Sequence, residues 1–200
     1  MNTDEILEQY SKDFDHNKNV EKYSIMLFEK LKNIFPEIKK YDNEFDLELL
    51  KKGALLHDIG IYFEKIYNKD HNKAGAKFIL ENKPDDIKEE DLIFLCCLIR
   101  YHRKSLPNPK KHKLYSKLND KDKIKLNYLA SLIKLADGLD FGHLGLISDL
   151  KFEYSEKLNL LTLFLSGNIM LNASILKAIN KKKDFFEFAY KVKLKLKGNL

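Results

Sequence analysis

Cysteine is nearly missing from this sequence of 200 residues: Cys96 and Cys97 are the only two, adjacent inside an apolar run. Neighbouring cysteines of that kind do not build an intramolecular disulfide framework, which excludes a stapled secreted scaffold and fits a reducing cytoplasm. Long hydrophobic runs are missing too. No window approaches the roughly 18 consecutive apolar residues of a membrane-spanning helix, so no membrane partner is expected. The opening MNTDEILEQYSKDFDH carries early acids and no apolar stretch, unlike a signal peptide. Internal repeats and low-complexity linkers are absent as well, which leaves one ordinary domain with room for a small appendage, long enough to bury a core.

What is present is a usual globular mixture, 44% hydrophobic and 33% charged, neither disordered nor fibrous. The formal charge is +6, much of it in Lys110-Lys111-His112-Lys113, in Lys181-Lys182-Lys183 and in the alternation Lys191, Lys193, Lys195, Lys197. Most such lysines read as solvated surface, yet the balance favours polyanionic partners such as phosphorylated small molecules, nucleotides or polyphosphate. Nucleic acid is not an expected partner, because the tail has no recognisable reader motif and no clustered exposed aromatics.

Apolar spacing predicts a helix from Asp4 to about Phe35, with Val20, Tyr23, Leu27, Phe28 and Leu31 on one face and Pro36 soon ending it. A second helix is expected from about Asp46 to His57, closed by Gly60, a third over Asn72 to Glu81, and a deeply buried fourth from Lys88 to Arg103. Pro107 and Pro109 make the next segment an extended loop. A further helix starts near Asp120, turns Ile124, Tyr128, Leu129, Leu132, Ile133 and Leu135 inward, and reaches Asp137 near its end. Beyond Gly145 the pattern changes to a hairpin, Asp149 to Tyr154 and Asn159 to Leu165, then a helix from Asn172 to about Glu187 and an edge-type strand from Tyr190 to Leu196, whose alternation would let two copies pair as a homodimer. The expected architecture is mainly α: a helical body over residues 1–145 followed by a small α/β appendage over residues 146–200.

The string GALLHDIG places two ligand-type side chains, His57 and Asp58, at the end of an apolar helix. Successive residues of a helix diverge by about 100°, so both can face one ion only where the helix stops. His16 lies at the start of an amphipathic helix and Asp137 near the end of another, in LIKLADGLDFGH, where a carboxylate is poorly placed against the helix dipole and asks for a cation. Three helices can thus bring two imidazoles and two carboxylates to one ion.

GALLHDIG and LADGLD resemble the HD superfamily of metal-dependent phosphohydrolases. That resemblance implies an HD-domain helical bundle in which His16, His57, Asp58 and Asp137 are the primary metal ligands. His71, in HNKAGA, and His102, in RYHRK, resemble the additional histidines of HD proteins that hold two metals. More specifically, the stretch from Arg100 to His143 is similar to the C-terminal HD domain of the exopolyphosphatase/guanosine pentaphosphate phosphohydrolase family. The resemblance covers about residues 10–145 strongly and the α/β tail more loosely. Those enzymes place their principal phosphatase site in a preceding actin-like two-lobed domain, which this sequence is expected to lack.

The chemistry of the ligand set can be stated separately. Mn²⁺, Mg²⁺, Fe²⁺ or Zn²⁺, as one or two ions, accept mixed imidazole and carboxylate ligands and lower the pKa of a bound water. Asp58 and His57 are the residues expected to carry catalysis, Asp58 by bridging two ions or by sharing its free oxygen with the attacking water. Arg100, Arg103 and Lys104 surround His102, and Lys134 lies one turn before Asp137; all four are candidates for holding phosphate oxygens. Asp140 and His143 follow Asp137 as substrate or supporting residues. His112 is expected to be solvated and Cys96-Cys97 to be core. The expected function is hydrolysis of a nucleotide, guanosine polyphosphate or polyphosphate-like substrate. A non-catalytic module that binds a phosphorylated ligand or a phosphatase partner is the alternative.

Overall fold

A computed structural model describes residues 1–168 and 173–198. Asn2 opens α1 (Thr3–Tyr10) with a capping box: its side chain accepts from the Glu5 amide while the Glu5 carboxylate accepts from the Asn2 N–H. The single helix expected between Asp4 and Phe35 is broken, and α2 (Phe14–Leu31) starts afresh. The cause is local. The Asp13 carboxylate accepts from the His16 amide at 3.0 Å and the Ser11 hydroxyl accepts from the Asp13 amide at 3.2 Å, so short polar side chains take backbone groups that a continuous helix would need. Pro36 does not end a helix but opens the short α3 (Pro36–Lys39), where its missing N–H costs nothing.

Capped by Asn43, α4 (Glu44–Leu55) stops two residues before His57. Gly60, expected to close that helix, instead starts α5 (Gly60–Tyr67), which the apolar pattern did not reveal. The glycine serves a close approach: a Cβ there would overlap the His71 carbonyl oxygen and the Gly75 amide nitrogen of α6 (His71–Glu81). Gly60→Ala should therefore force α5 and α6 apart and destabilise the protein by about 2 kcal/mol, read as a lower denaturant midpoint with an unchanged m-value.

A strongly apolar α7 (Leu92–Tyr101) is followed by the extended loop with Pro107 and Pro109, by α8 (Lys113–Ser116) and by α9 (Asp120–Leu139). The last of these is the central helix, with Leu126, Leu129, Leu132, Ile133, Leu135 and Ala136 buried. Ile124, expected inward, is 50% exposed, on the rim of a surface groove beside Lys121 and Lys125. Around α9 pack α2, α4, α7, α10 (Ala173–Lys182) and α11 (Asp184–Tyr190). Asn172, where one long helix was expected to begin, lies outside the described residues, and the remainder of that helix is divided into α10 and α11 at Lys183.

The hairpin pairs β1 (Ile147–Ser155) antiparallel with β2 (Leu160–Gly167), and β3 (Lys193–Gly198) adds parallel to the other side of β2, at the sheet edge. Its buried Leu194 and that of Leu163 on β2 belong to the same hydrophobic cluster as Leu27, Leu98 and Ile133, so the core is continuous across residues 145 and 146. The protein is mainly α, with eleven α-helices and three strands among the described residues. No helix among them is long and apolar enough to cross a membrane.

Candidate metal centre

Five helix ends deliver the site. His16 stands in the first turn of α2, His57 and Asp58 in the turn between α4 and α5, His71 at the start of α6, His102 just past α7, and Asp137 in the last turn of α9. Helix ends carry unpaired backbone groups, and these are used to set the ligands. The Asn17 side-chain amide donates to the Leu55 carbonyl at 2.6 Å, tying the first turn of α2 to the end of α4.

Each of the four histidines has its Nδ1 against an acceptor. His57 Nδ1 lies 2.7 Å from the Ala54 carbonyl oxygen and His102 Nδ1 2.6 Å from that of Ile99. His16 Nδ1 lies 2.8 Å from Asp140 Oδ2, and His71 Nδ1 3.2 Å from Glu64 Oε1. Carbonyl and carboxylate oxygens only accept, so in His16, His57 and His102 Nδ1 carries the proton and Nε2 presents a lone pair, whereas the His71 ring also faces the Arg103 guanidinium, a donor. Hydrogen bonds of this kind orient ligand imidazoles.

Those Nε2 atoms meet around Asp58. Its Oδ2 is 3.8 Å from His16 Nε2 and 3.6 Å from His57 Nε2; its Oδ1 is 3.2 Å from His71 Nε2 and 3.3 Å from His102 Nε2. Asp137 Oδ1 joins the first pair, 3.7 Å from His16 Nε2. Two groups result, His16–His57–Asp137 and Asp58–His71–His102, each with ligand atoms within 4.8 Å of one another. His16 Nε2 and His57 Nε2 are buried without a hydrogen-bond partner, an arrangement that costs about 1–3 kcal/mol per atom when nothing fills it. His71 Nε2 and His102 Nε2 stand 3.2 Å apart, and two lone pairs at that distance repel unless a proton or cation lies between them. The residues fit a divalent cation.

Electrostatics acts on the candidate ligands in different directions. Burial drives the His57 imidazole down to about 4, with Asp58 opposing and His102 assisting. Burial also acts downward on His16, but Asp140, Asp137 and Asp58 outweigh it and leave that pKa raised. For Asp58 burial acts upward and is overcome by His57, His102 and His71, which hold its carboxyl well below the usual range; for Asp137 burial is likewise outweighed, by the Lys182 ammonium, His57 and His102, and its pKa is lowered.

Above the ligands opens a cleft of about 500 Å³, lined by Asp58, His71, Asp137, Arg103, Phe141, His143 and one face of α10. Arg103 lies against His71, with Nη1 2.8 and 2.9 Å from the two ring nitrogens. His143 stacks on His16 with centroids 3.8 Å apart and donates from Nδ1 to Asp13 at 2.7 Å. Other expected phosphate-holding residues are turned elsewhere. Arg100 lies over the Tyr101 ring, Lys104 pairs with Asp70, and Lys134 is buried between the Lys104 carbonyl and Asp184. Asp140 is buried and serves His16 rather than the cleft, accepting also from the Asn19 side chain and the Gly145 N–H. His112 is not simply solvated: its Nδ1 accepts from the Asn108 amide and lies 2.9 Å from the Tyr101 hydroxyl. Cys96 and Cys97 are core, as expected.

The α10 residues Ser174, Lys177, Ala178, Lys181 and Lys182, and Glu64 behind His71, escaped the sequence reading. A signal existed, since 174, 177, 178 and 181 share one helical face, but nothing local says what that face meets. Comparison with protein families matches residues 2–182 to the one described as Ppx/GppA phosphatase, domain III. No curated protein matches the chain.

Proposed function

Since the chain belongs to the Ppx/GppA phosphatase domain III family, we propose that it is a metal-dependent phosphohydrolase with the bundle and ligand set of the HD superfamily. The observation that carries this reading is the convergence of four imidazoles, three of them anchored through Nδ1, on the two oxygens of Asp58. His16, His57, Asp58 and Asp137 would hold one cation, and Asp58, His71 and His102 a second. Imidazole-rich donors suit Mn²⁺, Fe²⁺ or Zn²⁺ better than Mg²⁺. Such ions supply a water of lowered pKa and neutralise charge developing on phosphorus. The protein's own share is orientation: Asp140, Ala54, Ile99 and Glu64 hold the imidazoles, while Arg103 and the α10 lysines offer positive charge to phosphate oxygens. The substrate class is a nucleotide, guanosine polyphosphate or polyphosphate-like compound. Two free, buried thiols suit a cytoplasmic protein, and the edge strand β3 is where a homodimer would pair.

One observation favours the second reading, a non-catalytic module that binds a phosphorylated ligand or a phosphatase partner: the Lys182 ammonium already sits on Asp137 Oδ2. Metal analysis of the chain purified without chelator, joined to a phosphate-release screen over nucleotides, polyphosphate and guanosine polyphosphates with added Mn²⁺, separates the two. Stoichiometric metal and turnover support the enzyme; a metal-free, inert protein leaves the module.

Metal loading should depend on pH with a definite sign. A proton and a cation compete for Nε2, and the raised pKa of His16 makes the proton a competitor from above its ordinary value of 6.5 downward. His57, down at about 4, adds no competition until far more acid conditions. Apparent metal affinity should fall by about tenfold per pH unit below the His16 pKa, measured by titration between about pH 5.5 and 8.

A further inference from the structure

One wall of the cleft belongs to a single helix. Ser174, Lys177, Ala178 and Lys181 recur at helical spacing along the side of α10 that faces the carboxylates and imidazoles, and Lys182 follows at its end. The helix is set there closely: a Cβ on Gly138, the residue after Asp137, would lie 3.3 Å from both the Ile179 Cα and the Lys182 side chain. A glycine inside a helix costs about 1 kcal/mol relative to alanine, and here it lets the stem of Lys182 lie along α9 so that its ammonium reaches Asp137.

Lys177 and Lys181 are one turn apart, both exposed, and neither has an ion-pair partner among the described residues. Like charges at that spacing repel by a few tenths of a kcal/mol. Across the same cleft lie the carboxylates of Asp58 and Asp137, whose negative charge would be neutralised once divalent cations occupy the floor. The wall then faces the cleft, with Arg103 also lining it, as positive charge in need of an anion.

Resting on the phosphohydrolase reading above, we propose that α10 is the anion-recognition wall of the cleft. Lys177 and Lys181 hold the anionic part of the substrate that does not react, and Lys182 exchanges the Asp137 carboxylate for an oxygen of the reacting phosphoryl group. The chemical class selected is a phosphate ester or anhydride with a second anionic group beyond the reacting one.

Calorimetric titration of the full chain with inorganic orthophosphate and with pyrophosphate, metal content being measured for each variant, tests this. Lys177→Ala combined with Lys181→Ala should weaken pyrophosphate by about tenfold, one charge-assisted contact, and orthophosphate by less than about threefold, with metal content unchanged. Lys182→Gln should weaken both anions yet tighten divalent cation, because a positive charge leaves Asp137; a lysine that only braces α10 would not move the two in opposite directions. Failure of wild-type protein to bind pyrophosphate would overturn the proposal. So would a double variant that binds pyrophosphate normally, or an equal loss on replacing the exposed Lys151 and Lys157 by alanine. A wild-type chain that takes up no metal would remove the phosphohydrolase reading, whereas a metal-loaded chain whose double variant binds pyrophosphate normally would remove the wall alone.

Discussion

Replacing Asp58 by asparagine should empty at least one of the two cation positions and lower any phosphate release by at least about 10³-fold. The reason is geometric. One carboxylate oxygen faces His16 and His57 and the other faces His71 and His102, so no orientation of the amide serves both pairs. Wherever its NH₂ points, a donor replaces an acceptor and meets imidazole lone pairs that would otherwise take a cation. The substitution keeps the shape of the side chain in a turn where Asp58 is largely covered, so the denaturant midpoint measured in the presence of chelator should move by less than about 1 kcal/mol. Metal content by elemental analysis and phosphate release with added Mn²⁺ give the result. Two stoichiometric metals retained by Asp58→Asn would mean that the two histidine pairs do not share this carboxylate.

Parts of this site were legible because local chemistry marks them. His57 and Asp58 interrupt an apolar helix that stops at Leu55, and a carboxylate at the end of α9 is conspicuous against the helix dipole. Other parts were hidden for physical reasons. Gly60 has the signature of a helix terminator, whereas its meaning is the contact with His71 and Gly75, residues that no local rule brings near it. Arg100 is near His102 along the chain, but residues two apart on a helix point to opposite sides, and Arg100 faces the Tyr101 ring. Lys134 has the right helical phase relative to Asp137, yet Asp184 of α11 claims it. Lys182 carries the opposite lesson: within a run of three lysines it reads as solvated surface, and only the packing of α10 on α9 gives it a carboxylate 45 residues away. The helical body followed its apolar periods, while the breaks at Asp13 and Lys183 depend on individual side-chain caps and tertiary contacts that a period does not encode.

The supporting layer makes the second large prediction. Asp140 is buried, takes the Nδ1 proton side of His16 at 2.8 Å, and is itself held by the Asn19 side chain and the Gly145 N–H. Its carboxylate fixes the His16 tautomer and adds electron density to the ring, two effects that outer groups exert on ligand basicity. In Asp140→Asn the amide can still accept through Oδ1, but the negative charge is gone, and an amide flipped to present NH₂ would favour the tautomer with its proton on Nε2. Removal of that charge also lowers the His16 pKa from its raised value, since Asp140 is the largest of the carboxylate contributions that oppose burial. Affinity at the position shared by His16, His57 and Asp137 should therefore fall by about 10–100-fold, while the Asp58–His71–His102 group, whose anchors are Glu64 and the Ile99 carbonyl, keeps its own. A competition titration with a chromophoric chelator resolves the two affinities. Equal weakening of both would show that the groups respond as one unit through Asp58, and no weakening would show that Asp140 only secures the fold of the α9 terminus.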